Sequence, residues 1–223
     1  MLFLAAALGC SKFPGMETKT DTPANNSAAA PASSDTKTPW TAASAFVPSG
    51  DAKADIEKMA DRFLSQRSFT ARMEGTGTIP VKADLEFLAP DRFRLTHYRD
   101  GGQLGQMIVI GQTTYMNAGG KWQKMQIGMS VPNMRETFTR EGMKWFKDTK
   151  YEGEESLEGK TAHHYSYDGE MPGTKKTYSS DIWINAADGL PIKIEAVYHS
   201  GDLKTMHIGY DYSKEISIEA PID

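Results

Sequence analysis

The chain has 223 residues, a net charge of -4, 39% hydrophobic and 24% charged residues, and a single cysteine. This suits one globular domain with extensions, excludes an intramolecular disulfide and gives no electrostatic footprint for nucleic acid. No run reaches the roughly 18 apolar residues of a membrane-spanning helix.

The N-terminal stretch Leu2-Phe3-Leu4-Ala5-Ala6-Ala7-Leu8 is apolar and ends in Gly9-Cys10. It resembles a bacterial lipoprotein signal, in which small residues precede a cysteine that is acylated and becomes the mature N-terminus. The resemblance implies a signal peptide over 1–9, with Cys10 carrying acyl chains of the palmitate kind. Ala7 stands where such signals most often have Leu. No Lys or Arg precedes the apolar run, so the natural start is expected upstream of Met1. Ser11 rather than Asp after the cysteine implies sorting to the periplasmic face of the outer membrane rather than the inner. The alternative for Cys10 is an incidental thiol.

Residues 10–48 are expected to be the lipidated N-terminus and a linker rich in Ala, Ser, Thr and Pro. Such a segment buries too little surface to offset its ordering entropy. As a flexible chain, about 38 residues span roughly 35 Å, which suits a tether.

The folded domain is expected over 49–223. Ile56, Met59, Ala60, Phe63 and Leu64 recur at helical spacing opposite Lys53, Glu57, Lys58 and Asp61, which predicts a helix over 51–67 capped by Ser49 or Asp51. Alternating patterns then predict strands over 69–73, 83–87, 93–97, 107–110, 113–116 and 121–125. Residues 131–148 change to helical spacing, with Gly142 as an expected interruption. Strands resume over 151–157, 159–167, 177–185, 190–198, 204–212 and 216–219. In 181–198, Ile192, Ile194, Ala196 and Tyr198 alternate with Lys193, Glu195 and Val197 after an Asp188-Gly189 turn, so the first set is expected on one face. Short connections throughout argue for an antiparallel meander.

Several stretches carry a resemblance when taken in order: Ala89-Pro90-Asp91-Arg92-Phe93-Arg94, Leu157-Glu158-Gly159-Lys160-Thr161-Ala162-His163-His164-Tyr165, the hairpin over 181–194, and Tyr210-Asp211-Tyr212 followed by Ile216 to Pro221. Over residues 51–221 the chain resembles the LolA/LolB-type lipoprotein-localisation fold, and within it the LppX/LprG-type lipid-carrier lipoproteins. The resemblance implies a mainly β (α+β) fold: an unclosed, strongly curved antiparallel sheet, a half-barrel of about eleven strands, with helices covering its concave face and an apolar cavity between. It implies carriage of acyl chains or lipidated molecules across the cell envelope by a monomeric, membrane-anchored protein. RseB-type envelope sensors, which bind lipidated or unfolded partner proteins, are the alternative.

The cavity is expected to be lined by Leu85, Phe87, Phe93, Leu95, Ile182, Ile184, Ile192, Ile194, Met206 and Ile208, which occupy alternating strand positions. Ile56, Met59, Phe63 and Leu64 are expected to form the lid. Of twelve methionines, ten lie in the expected domain, Met59, Met73, Met107, Met116, Met125, Met129, Met134, Met143, Met171 and Met206, and they read either as core or as an adaptable binding surface. No catalytic constellation, metal-ligand spacing or cofactor motif is present, so an enzyme is not expected. His163 and His164 are adjacent on a strand and point to opposite faces. Glu152, Glu154, Glu155 and Glu158 read as a solvated sheet edge. Arg92 and Arg94 share a face and read as solvated surface or as contacts for an anionic headgroup.

Overall fold

Asp51 starts the domain's long helix. Its carboxylate accepts from the backbone N–H groups of Lys53 and Ala54 at 3.0 and 3.1 Å, satisfying two donors that the first turn leaves unpaired. The helix, α1 (Ala52–Leu64), buries Ile56, Met59, Ala60 and Phe63 on one stripe and leaves Leu64 half-buried. The computed structural model describes residues 44–99, 101–125, 135–171, 174 and 176–222. The expected signal peptide, Cys10 and the linker up to residue 43 lie outside the described residues.

Eleven strands follow α1: β1 (Ser68–Gly77), β2 (Val81–Leu88), β3 (Arg92–Arg99), β4 (Gly102–Ile110), β5 (Thr113–Ala118), β6 (Lys121–Met125), β7 (Phe146–Leu157), β8 (Lys160–Glu170), β9 (Thr177–Asn185), β10 (Pro191–Tyr198) and β11 (Leu203–Asp211). They make one sheet in the order β6-β5-β4-β3-β2-β1-β11-β10-β9-β8-β7. The paired strands run antiparallel, and the sheet is left unclosed with β6 and β7 as its edges. The crossover between them holds a 3-10 turn (Glu136–Phe138) and the short α2 (Arg140–Met143). Gly142 lies within α2 rather than interrupting it, and β7 begins five residues before its expected start at Tyr151.

Register sorts the side chains. Phe69 lies opposite Phe87, Phe87 opposite Phe93, and Phe93 opposite Val109. On the other half, Ile208 faces Ile194, and Ile194 faces Ile182, which faces Tyr165. These positions share the concave face, and the core forms there around α1. Phe63 packs on Phe69, Phe138 and Tyr210 with ring centroids 5.0 to 5.6 Å apart. Residues from β3 at one side to β7 at the other belong to this one cluster. Seven strand intervals of about 4.8 Å would separate those strands by roughly 34 Å in a flat sheet, well beyond the ~20 Å length of a 13-residue helix. The sheet therefore curls around its cover.

Three expectations need correction. Ile192 does not share a face with Ile194: a bulge between Pro191 and Lys193 shifts the register, and Ile192 packs with Ala162 and Trp183 on the convex side. An extra residue in one strand turns the side chains beyond it to the other face. Residues 216–219 are not a strand. They lie as an extended strap, with Ile218 packed against Ile108 and Tyr115. The ordered domain also begins before residue 49. Phe46 is only 2% exposed, and its N–H donates to the Ala186 carbonyl. Arg62 donates to the Ser44 and Asp188 carbonyls and lies over the Phe46 ring.

Candidate ligand cavity

α1 fills the middle of the concave face, and the 3-10 turn and α2 roof a second part of it. Between that roof and the sheet lies a cavity of about 780 Å³, within the usual range of small-molecule sites. Its floor is built by register. Tyr167 of β8 lies opposite Ser180 of β9, Ser180 opposite Ala196 of β10, and Ala196 opposite Met206 of β11. The small side chains of Ser180 and Ala196 leave the space. One row inward, Ile194, Ile208 and Met73 form an aliphatic wall, and Phe138, Gly142 and Trp145 come from the roof.

The rim is aromatic. Tyr178 lies beside Tyr198, with ring centroids 5.8 Å apart, and edge-on to Tyr167 at 6.3 Å. Gly169 sits opposite Tyr178 in the register, and a Cβ there would land within the Tyr178 ring. Glycine at this position lets the ring lie flat on the sheet. Behind it, Tyr167 stacks on Phe146 with centroids 4.1 Å apart. Removal from water raises the phenol pKa values of Tyr167, Tyr198 and Tyr210 above the ordinary tyrosine range; burial, with help from Tyr198, pushes Tyr178 up to about 12. Glu141 and Glu170 stand at the cavity edge, paired with Lys144 and Lys147 respectively.

The predicted lining residues divide into four groups. Ile194, Met206 and Ile208 line the cavity. Leu85, Phe87, Ile182 and Ile184 are buried in the core cluster that contains α1. Phe93 and Leu95 are half-buried against the same cluster. Ile192 faces the other way. The predicted lid residues Ile56, Met59 and Phe63 fill space rather than roof it, and the roof comes from 136–145. The methionines divide: Met59 and Met143 are core, Met73, Met171 and Met206 line the cavity, Met116 is exposed, and Met129 and Met134 lie outside the described residues. The tyrosines and Ser180 were not among the predicted lining residues. Their signal was the continuation of the β9 and β10 alternations past Ile182 and Ile194.

The convex face holds charge networks in place of an apolar site. His163 and His164 point to opposite faces: His163 meets Tyr151 and Phe46, whereas His164 stacks on Trp183 between Glu155 and Asp181. Glu155 also accepts from the Trp183 indole, which holds its carboxyl below the usual glutamate range. Arg92 and Arg94 donate to the Ile218 and Ser217 carbonyls and clamp the C-terminal strap.

An unclosed antiparallel sheet of this kind, curled around a helix, is the fold of a class of solved structures that includes a lipoprotein. Within that class the fold is that of LppX, a lipoprotein of Mycobacterium tuberculosis, with a TM-score of 0.60 over 77% of this chain and 100% of LppX at 13% identity. LprF from Mycobacterium bovis matches with a TM-score of 0.57 over 79% of this chain and 99% of its own, at 11% identity. At these identities the likeness is one of fold. No family model matches the chain, and no curated protein matches it by sequence.

Proposed function

We propose that this protein is a lipid-anchored lipoprotein of the bacterial cell envelope that binds acyl chains, free or on lipidated molecules, and carries them across the aqueous space rather than acting on them chemically. The observation that carries this reading is the cavity of about 780 Å³ walled by Met73, Ile194, Met206, Ile208 and Phe138. An empty apolar void forfeits dispersion contacts along its lining, and an acyl chain restores them. Burying about 14 methylenes at ~0.8 kcal/mol each gives on the order of 11 kcal/mol before association costs are subtracted. Subtracting the lowest association cost of about 4 kcal/mol leaves about 7 kcal/mol, which corresponds to micromolar binding. The LppX-type fold supports the reading, since LppX itself is a lipoprotein. The anchor is assigned to Cys10 and the location to the periplasmic face of the outer membrane, from the sequence alone.

Mass spectrometry of organic extracts from gently purified protein tests the cargo, with an acyl lipid close to one per chain as the expected result. An empty protein that also takes up no added acyl probe would overturn the reading. The anchor is tested separately. Cys10→Ser is expected to abolish fatty-acid labelling and membrane partitioning while thermal unfolding of the domain stays unchanged.

A further inference from the structure

The cavity lining is mostly apolar but carries a set of phenols, of which Tyr167 is hydrogen-bonded to Ser180. Tyr167, Tyr178, Tyr198 and Tyr210 come from four consecutive strands, β8 to β11, and converge on it. A phenol set in an apolar wall ordinarily finds a hydrogen-bond partner. Several others in this domain do: Tyr165 donates to Asp55, Tyr212 to the Pro191 carbonyl and Tyr98 to Asp84. Among the described residues, Tyr178, Tyr198 and Tyr210 make ring contacts but no hydrogen bond through their hydroxyls. Nor is any of these oxygens sealed from solvent, since the buried polar atoms without a partner do not include them. Their hydroxyls are therefore open to solvent, on residues that line the cavity.

The charge around them narrows the partner. Burial holds each phenol in its protonated form through neutral pH, so each offers a proton. No Lys, Arg or His lines the cavity among the described residues, while Glu141 and Glu170 stand at its edge. A carboxylate or phosphate drawn inside would lie without a counter-ion in the lining, which is a costly arrangement, and the two edge carboxylates already hold the nearby Lys144 and Lys147. An uncharged oxygen acceptor has no such cost. In acyl lipids the group that meets this description, one bond from the alkyl chain, is the ester carbonyl.

We infer that the tyrosine cluster is a hydrogen-bond-donor site for the neutral ester carbonyl of an acyl lipid, with Tyr178 and Tyr198 as the specificity-determining residues. The inference rests on the acyl-binding reading of the cavity and adds the chemistry of the chain's attachment. It excludes free fatty-acid anions as preferred cargo and predicts discrimination between ester-linked and ether-linked chains of equal length.

The test is a displacement assay with three probes below their aggregation limits: 1-palmitoylglycerol, its ether counterpart 1-hexadecylglycerol, and palmitate. The wild-type protein is expected to bind the ester at least about tenfold more tightly than the ether, equivalent to about 1.4 kcal/mol. Palmitate is expected to bind more weakly than the ester. The Tyr178→Phe/Tyr198→Phe double variant keeps the rings and removes the donors. It is expected to bind the ether as the wild type does and to lose the preference for the ester. The single variants supply the same readout if the double variant fails to fold. Equal binding of ester and ether by the wild type would overturn the inference, as would a preference that survives both single substitutions or tighter binding of palmitate. Binding of none of the three probes would instead remove the acyl-binding reading itself, and the inference with it.

Discussion

Asp55 is 1% exposed, yet it is a carboxylate. Both its oxygens accept from the Ser49 N–H, at 2.9 and 3.1 Å, and one also accepts from the Tyr165 hydroxyl at 2.9 Å. One side chain thus joins the entry segment, the first turn of α1 and strand β8. Asp55→Ala leaves a buried phenol and a backbone N–H without an acceptor, at about 1–3 kcal/mol each. The urea midpoint is expected to fall with an unchanged slope, whereas Asp55→Asn, which retains a carbonyl acceptor, should lose less. Tyr178 makes a second prediction at this scale. Its pKa stands at about 12 in the fold, against about 10 for a free tyrosine. Below pH 10 the phenol is protonated in both states, and its contribution to stability is fully present. As pH rises from 10 through about 12, the unfolded chain gives up the proton first, so stability is lost across that window. Thermal melts between pH 9 and 12 should show a shallower decline for Tyr178→Phe than for the wild type; parallel declines would show that Tyr178 is not among the groups responsible.

Elements were legible where period and partner agreed. The stripe Ile56, Met59, Ala60, Phe63 repeats every three or four residues, and α1 buries that stripe. The C-terminal strap shows the opposite case. Ile216 and Ile218 alternate like a strand, but β6 and β7 form the sheet's edges and neither pairs with it, so the segment packs by side chains alone. Ile218 is 1% exposed between Ile108 and Tyr115, and the Arg92 and Arg94 clamps supply the backbone bonds that a neighbouring strand would have made. Ile218→Ala should cost on the order of 2–5 kcal/mol in chemical unfolding and leave acyl binding unchanged, since the strap lies on the face away from the cavity. A loss of binding at constant fold would show that the two faces are coupled. Ile192 departs from its expected face for a related reason. Alternation fixes a face only while the register is unbroken, and the bulge that turns Ile192 outward involves no Gly or unusual residue beyond Pro191, already present at the strand entry. The cavity itself was only half legible. Ile194, Met206 and Ile208 show as apolar alternation, but which part of an apolar face is packed and which is left open depends on where helices distant in sequence come to rest.

For the whole domain the decisive feature is that one concave face does two jobs. Where α1 lies, aromatic rings fill the space: Phe63, Phe69, Phe87 and Phe93 form a chain with centroids about 5 Å apart. A charge introduced there, as in Ile184→Asp, lands at a fully buried position and should unfold the domain rather than report on binding. Where the 136–145 roof lies, Ser180 and Ala196 present almost no side chain, and the space stays open. The two regions should therefore respond oppositely to added volume. Overpacking a filled core typically costs 1–3 kcal/mol. Filling an open apolar cavity adds dispersion contacts without displacing neighbours. Ala196→Phe puts a ring into the cavity from its floor, on the strand that carries Ile194. The expected outcome is a melting temperature equal to or above that of the wild type together with at least a tenfold loss of acyl binding. Val197→Phe, one residue on at an exposed convex position, controls for the substitution itself and should leave binding within about twofold. Calorimetric unfolding and probe titration on the same three proteins decide the matter: a destabilised Ala196→Phe protein would show that this part of the face is packed core, and full binding by a stable one would place the acyl site elsewhere.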